Sequence, residues 1–235
     1  MKLNRFLEML SEVELSQHVF GDADEQGKLI KSMELIGLIN RGLEDIHTRF
    51  MLKKGELYLN VDTSRRTRYD ITDESLILTP DVPLNVIKIL EVWDECGIKQ
   101  HLGRIHRSKN CMFMGHNEIE LLNQTTLSFN CECGTYYIVF HQGPELIERP
   151  KTIEEFQPER IELDIPLEFV DALIYYICSR LYAINLPMEG YAAPYSPSVT
   201  YLKKYEEEIQ RLKDFNMDID GVEDTSHRFY DSTFP

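Results

Sequence analysis

Apolar residues recur along this chain at two spacings, a helical spacing near both ends and a strand-like spacing between them. Between residues 28 and 53 they return every three or four positions, which predicts one long amphipathic helix of about six turns. Gly37 and Gly42 lower its helix propensity unless a neighbouring element packs closely against them. The apolar stripe consists of Leu29, Met33, Ile36, Ile39, Leu43, Ile46 and Phe50.

Start and stop signals bound this helix and predict three others. Lys53, Lys54 and Gly55 supply cations and a glycine cap that would end the long helix. Pro166 is placed for the first turn of a further helix, which runs to about residue 186. The other two predicted helices cover residues 3–10 and the segment from Ser196–Pro197 to about Phe215.

The middle of the chain has the pattern of β-structure. Between residues 56 and 150, short runs rich in branched and aromatic residues are separated by polar or Gly/Pro breaks. These runs are ELYLNV, SLILTP, VIKILEVW, EIELLN, TLSFNC and TYYIVFHQGP. The pattern therefore predicts a β-rich region between the helical segments.

The order of these elements predicts an α+β fold in four parts. Residues 1–55 and 166–217 would form the two halves of a helical bundle, with two N-terminal and two C-terminal helices. Residues 56–165 would form an inserted β-rich domain. Residues 218–235 lack periodicity and bulk for a core, which predicts an extended C-terminal tail.

Composition narrows the classes of function. The net charge of -15, from 25 basic and 40 acidic side chains, disfavours a general nucleic-acid binder but is compatible with lining a DNA conduit. No apolar run is long enough to cross a bilayer and no signal peptide is recognisable, so we expect synthesis in the cytosol and no membrane partner. The five scattered cysteines are expected to be reduced thiols.

Signs of catalysis are weak, and we predict neither an enzyme nor a cofactor. The chain has no GxxxxGK[ST], GxGxxG, HExxH or GxSxG motif. Cys131 and Cys133, with His141 nearby, could offer three zinc ligands. However, a CxC pair on a strand points both thiols to one face, which favours two core cysteines over a metal site.

Two short basic runs stand out in this acidic chain. IKQHLGRIHRSKN carries Arg104, Arg107 and Lys109 and could contact DNA phosphates or acidic neighbours. SRRTRYD at residues 64–70 is the second run. A solvated loop of mixed charge is the simpler interpretation of both.

Aromatic residues are concentrated toward the C-terminus. Seven tyrosines around the last two predicted helices fit either core packing or a subunit interface. Phe229, Tyr230 and Phe234 lie next to Pro235 in the otherwise polar tail, where they could anchor it in pockets of a partner. The alternative is that they fold back onto the chain's own surface. The tyrosines are Tyr175, Tyr176, Tyr182, Tyr191, Tyr195, Tyr201 and Tyr205.

The order of elements resembles the head-to-tail adaptor proteins of short-tailed bacteriophages, also called tail tubular protein A. The long helix KLIKSMELIGLINRGLEDIHTRF leads through KKGELYLNV and RYDI to LTPDVPLNVIKILEVWD. The strand YYIVFHQGP, the helix DIPLEFVDALIYYICSRLYAINL and a final charged helix before a loose tail follow. The resemblance covers most of residues 28–217. It rests on the order of the elements and on the kinds of residues in each segment, and not on a diagnostic motif.

This resemblance implies a structural virion protein that forms a dodecameric ring between the portal protein and the tail nozzle or tail tube. The ring would be part of the conduit that genomic DNA passes without sequence-specific contact, and it would assemble in the host bacterial cytoplasm. The C-terminal tail would dock on the portal, and the β-rich domain would face the tail. The alternatives are a cytosolic interaction or regulatory module, and a small thiol- or metal-dependent enzyme using Cys131, Cys133 and His141.

Overall fold

The computed structural model describes residues 1–12, 25–73, 85–104, 119–129, 133–185 and 197–215. These residues contain four α-helices and two β-sheets, which confirms the prediction of a mixed α+β fold. Among the described helices, none combines the length and apolar character that crossing a bilayer requires. The helices are α1 (Leu3–Glu12), α2 (Glu25–Arg49), α3 (Val170–Asn185), which follows the 3₁₀ helix Leu167–Phe169, and α4 (Pro197–Asp214).

The chain divides into two compact units. The helical unit comprises Met1–Phe50 and the chain from Pro144 onward, and the β unit comprises Met51–Gly143. The segment 144–165, which the sequence pattern grouped with the β-rich region, is therefore part of the helical unit. Its backbone explains why, since it contains no regular strand and bonds to the N-terminus, with Leu163 N donating to Met1 O over 2.7 Å.

Amphipathic packing organises the helical unit. Helix α1 is fully buried along the face that carries Leu3, Phe6 and Leu10. On α2 the predicted apolar stripe lies in the core through Ile36, Ile39, Leu43 and Ile46, and Phe50, just after the helix, is buried as well. Burial of these stripes stabilises the unit at about 25 cal/mol per Å² of apolar surface removed from water.

Helix α2 ends at Arg49, before the predicted stop, and the predicted role of Gly55 as a helix cap is wrong. Gly55 lies inside the first strand. A Cβ atom there would come within 2.3 Å of Phe140 Cζ, so only glycine leaves space for that ring. The physical reason for the glycine is a close approach between paired strands and not a left-handed cap.

The β unit is built from two sheets that share one core. One sheet has the order β1-β7-β3, all antiparallel, and the other has the order β2-β6-β5-β4, with β4 and β5 parallel. Leu57, Ile138 and Phe140 from the first sheet meet Tyr69, Ile119 and Phe129 from the second. The strands are β1 (Lys54–Val61), β2 (Arg68–Asp70), β3 (Val86–Trp93), β4 (Leu102–Arg104), β5 (Ile119–Leu121), β6 (Thr126–Phe129) and β7 (Gly134–Gln142).

Candidate interaction surfaces

The residues predicted to anchor the tail and to form the basic patch lie almost entirely outside the described chain. Phe229, Tyr230, Phe234 and Pro235 lie outside it, as do Arg107 and Lys109. Arg104 is the last residue of β4, and its backbone pairs with Leu121 of β5. The docking of the tail on the portal and the contact role of the basic patch therefore stay predictions.

The structure separates the thiol of Cys133 from His141. Cys133 is exposed, so its predicted place in the core is wrong, and its thiol contacts Asp62 Oδ1 at 3.4 Å. Cys131 lies outside the described residues. Cys133 precedes β7, whereas His141 is the penultimate residue of that strand. At roughly 3.3 Å per residue the two are about 25 Å apart, too far to bind one metal ion within a single chain.

The sheet β1-β7-β3 has one face in the core and an opposite face that is partly open to solvent, here called the outer face. Side chains on the outer face line up in rows across the three strands because the register pairs Tyr58 with Tyr137 and Tyr137 with Trp93. The Tyr58 and Tyr137 rings are 5.3 Å apart, and Tyr58 is 47% exposed. These three residues form the aromatic row.

Two charged rows follow the aromatic row along the same face. The register places Glu56, Val139 and Glu91 side by side in an acidic row. Two residues further along β1 and β7, Lys54 and Lys88 lie on either side of His141, which is buried, and these three residues form a basic row. On β1 and β7 the members of successive rows are two residues apart and therefore point to the same face. On β3 a register shift between Ile89 and Glu91 keeps Lys88 and Glu91 opposite successive members of the β7 row, so the three rows are immediate neighbours.

Each of two aromatic side chains donates its polar hydrogen to a carboxylate of the acidic row. Trp93 Nε1 donates to Glu91 Oε2 over 3.0 Å, and the Tyr137 hydroxyl donates to Glu56. Burial, and then this bond to Glu56, raises the pKa of Tyr137 to about 12. The raised pKa extends the pH range over which the hydroxyl can donate to Glu56, and the carboxylates keep lone pairs for further donors.

Lys99 already places an ammonium group on this face. Its Nζ pairs with Glu91 Oε1 and lies 5.7 Å from the centre of the Trp93 ring. A tight turn brings it there, with Asp94 Oδ1 accepting from Cys96 N and Ile98 N, both at 2.9 Å. The aromatic row, the acidic row and this turn therefore form a continuous surface suited to a cation.

A polar network joins α2 to α4 in the helical unit. The Tyr205 hydroxyl donates to Asp45, and Arg49 bridges Asp45 at 2.8 Å and Glu206 at 3.1 Å. Burial, and then the bond to Asp45, raises the pKa of Tyr205 above its ordinary value. The network supplies Tyr205 with an acceptor where its ring is almost wholly buried.

Replacing Tyr205 with phenylalanine is expected to lower the free energy of unfolding by about 1–2 kcal/mol, because Asp45 loses a buried donor. Since folding raises the Tyr205 pKa, the contribution of the hydroxyl is fully present below the unfolded-state pKa near 10. It is lost as the pH rises from there toward the folded-state pKa. Urea denaturation at about pH 8 and about pH 11 should therefore show the difference between wild type and Tyr205→Phe shrinking at the higher pH.

Tyr58→Phe is the matched control, because it removes a hydroxyl from a ring that is 47% exposed. Its effect on the free energy of unfolding should stay within about 0.5 kcal/mol. Equal losses for the two variants would show that the Asp45 bond contributes no more than an exposed hydroxyl does.

The tyrosines near the last two helices serve mainly as packing groups where the structure describes them. Tyr176, Tyr201 and Tyr205 are buried. Tyr182 is half-buried and stacks on Tyr201, with the ring centres 5.5 Å apart. Lys204 Nζ lies over the Tyr201 ring, 5.0 Å from its centre. Tyr175 is half-buried as well, and Tyr191 and Tyr195 lie outside the described residues.

The helical unit also exposes several large apolar side chains. Leu167 is 69% exposed just before α3, and Phe215 is 66% exposed just after α4. Single exposed apolar residues are common on folded proteins, so these side chains alone do not identify an interface. The others on this unit are Ile30, Leu146, Ile153 and Leu202.

Sequence reasoning did not single out the aromatic row. Alternation in ELYLNV places Tyr58 on the face opposite Leu57 and Leu59, which was a usable signal for β1. Trp93 could not be assigned in this way, because β3 contains register shifts between Val86 and Lys88 and between Ile89 and Glu91.

A scan against protein-family models and a search of curated proteins found no match to this chain.

Proposed function

We propose that this chain is a head-to-tail adaptor of a short-tailed bacteriophage, a structural protein that forms a ring between the portal and the tail nozzle or tube. The observation that carries the proposal is the discontinuous helical unit, which Met51–Gly143 interrupts as an inserted β unit. This is the organisation that the resemblance of residues 28–217 implies. The function is one of assembly, without catalysis.

In this proposal the four helices form the bundle of the adaptor. The N-terminal half supplies α1 and α2, and the C-terminal half supplies α3 and α4. Supporting contacts include the α2–α3 approach at Gly42 and the α2–α4 network around Tyr205. Copies would pack side by side through this bundle, using exposed apolar side chains such as Leu167 and Leu202.

The C-terminal tail would attach each subunit of the ring to the portal. Phe229, Tyr230 and Phe234, next to Pro235, are the proposed anchors because aromatic side chains contribute most to small interfaces. A ring repeats each weak contact many times, so the whole attachment becomes very tight. The net charge of -15 supports a conduit that repels passing DNA, and the virion is the proposed location.

Mass photometry of the protein mixed with the portal protein encoded beside it tests this assignment. A single species heavier than the portal alone, with a mass that fits a ring of adaptor subunits, is the expected result. If the mass of the portal stays unchanged across a range of salt and mixing ratios, the adaptor assignment is wrong. A stable complex with a cellular protein in its place would favour a cytosolic interaction module.

Replacing Phe229, Tyr230 and Phe234 together with alanine should abolish portal attachment. Each buried aromatic anchor contributes about 2 kcal/mol, and the loss is repeated in every subunit. In the matched control, Ile219 and Val222, two apolar residues of the same tail, are replaced with alanine. This variant should still attach to the portal. Far-UV circular dichroism should be unchanged in both variants, and wild-type attachment by the triple variant would exclude the anchoring role.

A further inference from the structure

We propose that the outer face of the β1-β7-β3 sheet recognises Lys or Arg side chains of a partner protein. The aromatic row supplies ring faces for the cation, and the acidic row supplies the counter-charge. The proposal stands apart from the adaptor assignment, because it concerns the chemistry of one surface and not the identity of the assembly.

The shape of this face fits a cationic side chain. The Tyr58 and Tyr137 rings have their centres 5.3 Å apart and their planes tilted by 47°, and Trp93 continues the row on the third strand. A cation within about 6 Å of a ring centre is attracted to its negative face. An open depression beside the rings is lined by Tyr58, Trp93 and Tyr137 together with Asp94 and Glu95 of the turn.

The charges favour a cation over a neutral ligand such as a sugar. Glu56 and Glu91 each already accept one hydrogen bond from an aromatic side chain, which holds the carboxylates beside the rings. Their remaining lone pairs attract an ammonium or guanidinium group by charge as well as by hydrogen bonding. A neutral hydroxyl group gains only the hydrogen bond, so the surface should bind a cationic group more tightly than a neutral ligand.

Lys99 of this chain already makes the contacts that we propose for a cationic side chain of the partner. It makes both expected contacts, a pairing with Glu91 and an approach of 5.7 Å to the Trp93 ring centre. Its Nζ is held on a long, half-exposed side chain that can move aside. A partner cation would therefore compete with Lys99, and removing Lys99 should strengthen binding.

Trp93 is the only tryptophan of the chain, so its fluorescence reports directly on this surface. The probe is a blocked tetra-arginine peptide, compared with the same peptide carrying citrulline in place of arginine. We expect a saturable change of Trp93 fluorescence with the arginine peptide that weakens as salt is raised. Citrulline keeps the shape and loses the charge, so its peptide should produce no saturable change.

Three variants give the proposal its sharpest test. Glu56→Gln should weaken binding of the arginine peptide about three- to tenfold, through loss of a charged acceptor beside the rings. Lys99→Gln should strengthen binding about threefold or more, because the internal competitor is gone. Lys88→Gln removes the same charge from the basic row of the same face and should change binding less than Lys99→Gln does.

Several outcomes would overturn the proposal. One is the absence of a saturable fluorescence change with the arginine peptide and with a tetra-lysine peptide at low salt. Another is an equal response to the citrulline peptide or to a neutral oligosaccharide, which would identify a site for uncharged ligands. Equal effects of Lys99→Gln and Lys88→Gln would show only general attraction of cations to an acidic protein.

Discussion

Phe169→Ala is expected to lower the free energy of unfolding of the helical unit by about 3–5 kcal/mol, the range for deleting a buried phenylalanine. The Phe169 ring meets the Phe50 ring edge to face, with centres 4.9 Å apart and planes at 72°. Each side chain is only 1% exposed. Phe50 is the last residue of the helical unit before the β unit, and Phe169 ends the 3₁₀ helix that leads into α3. The pair therefore joins the two separated halves of this unit.

The measurement is chemical denaturation monitored by far-UV circular dichroism, whose signal reports on the helices. Leu167→Ala is the control, because Leu167 lies in the same 3₁₀ helix and is 69% exposed. Its effect should stay within about 0.5 kcal/mol. A loss below about 1 kcal/mol for Phe169→Ala would show that the ring pair contributes little to joining the halves.

Gly42→Val should lower the free energy of unfolding by about 1–3 kcal/mol through overpacking between α2 and α3. A Cβ atom at position 42 would come within 2.5 Å of Leu173 Cδ1 and 3.0 Å of Tyr176 Cδ1. Valine adds two further carbon atoms to this contact. Relief would need movement of the Leu173 side chain and of the Tyr176 ring, which packs edge to face against Tyr205.

Gly37→Ala is the matched control on the same helix and should have the opposite sign. A Cβ atom there meets nothing within 4 Å, so alanine adds only helix propensity. We expect a gain of about 0.5–1 kcal/mol. The same denaturation measurement compares both variants, and a loss of similar size at both positions would mean that the close approach to α3 is not what requires glycine at position 42.

The helices were predictable because their signals are local. One apolar stripe on α2 and one on α4 mark their buried faces without knowledge of any partner. The reason for Gly37 and Gly42 in α2 was left open, because only the position of α3 distinguishes the two positions. Gly55 was misread for a related reason, since its neighbour Phe140 is far away in the sequence.

The outer face was beyond sequence reasoning because it depends on strand order and register. Tyr58, Trp93 and Tyr137 become neighbours only when β7 pairs between β1 and β3. Cys133 was misplaced because the alternation rule for a CxC pair assumes a strand, whereas this residue precedes β7. The segment 144–165 has no periodicity, so nothing local indicated that it belongs with α1.

The pairing of β1 with β7 has a consequence for how this chain can change over time. These strands begin and end the β unit, and Gln142 N donates to Lys53 O over 2.9 Å, so the entry and exit of the insertion are adjacent. For the helical unit, the whole insertion is equivalent to one loop with its ends held together. The entropy of closing such a loop rises only slowly with length. The length of the β unit therefore has little effect on the entropy of closing the helical unit, so the size of the insertion can change at small cost to that unit.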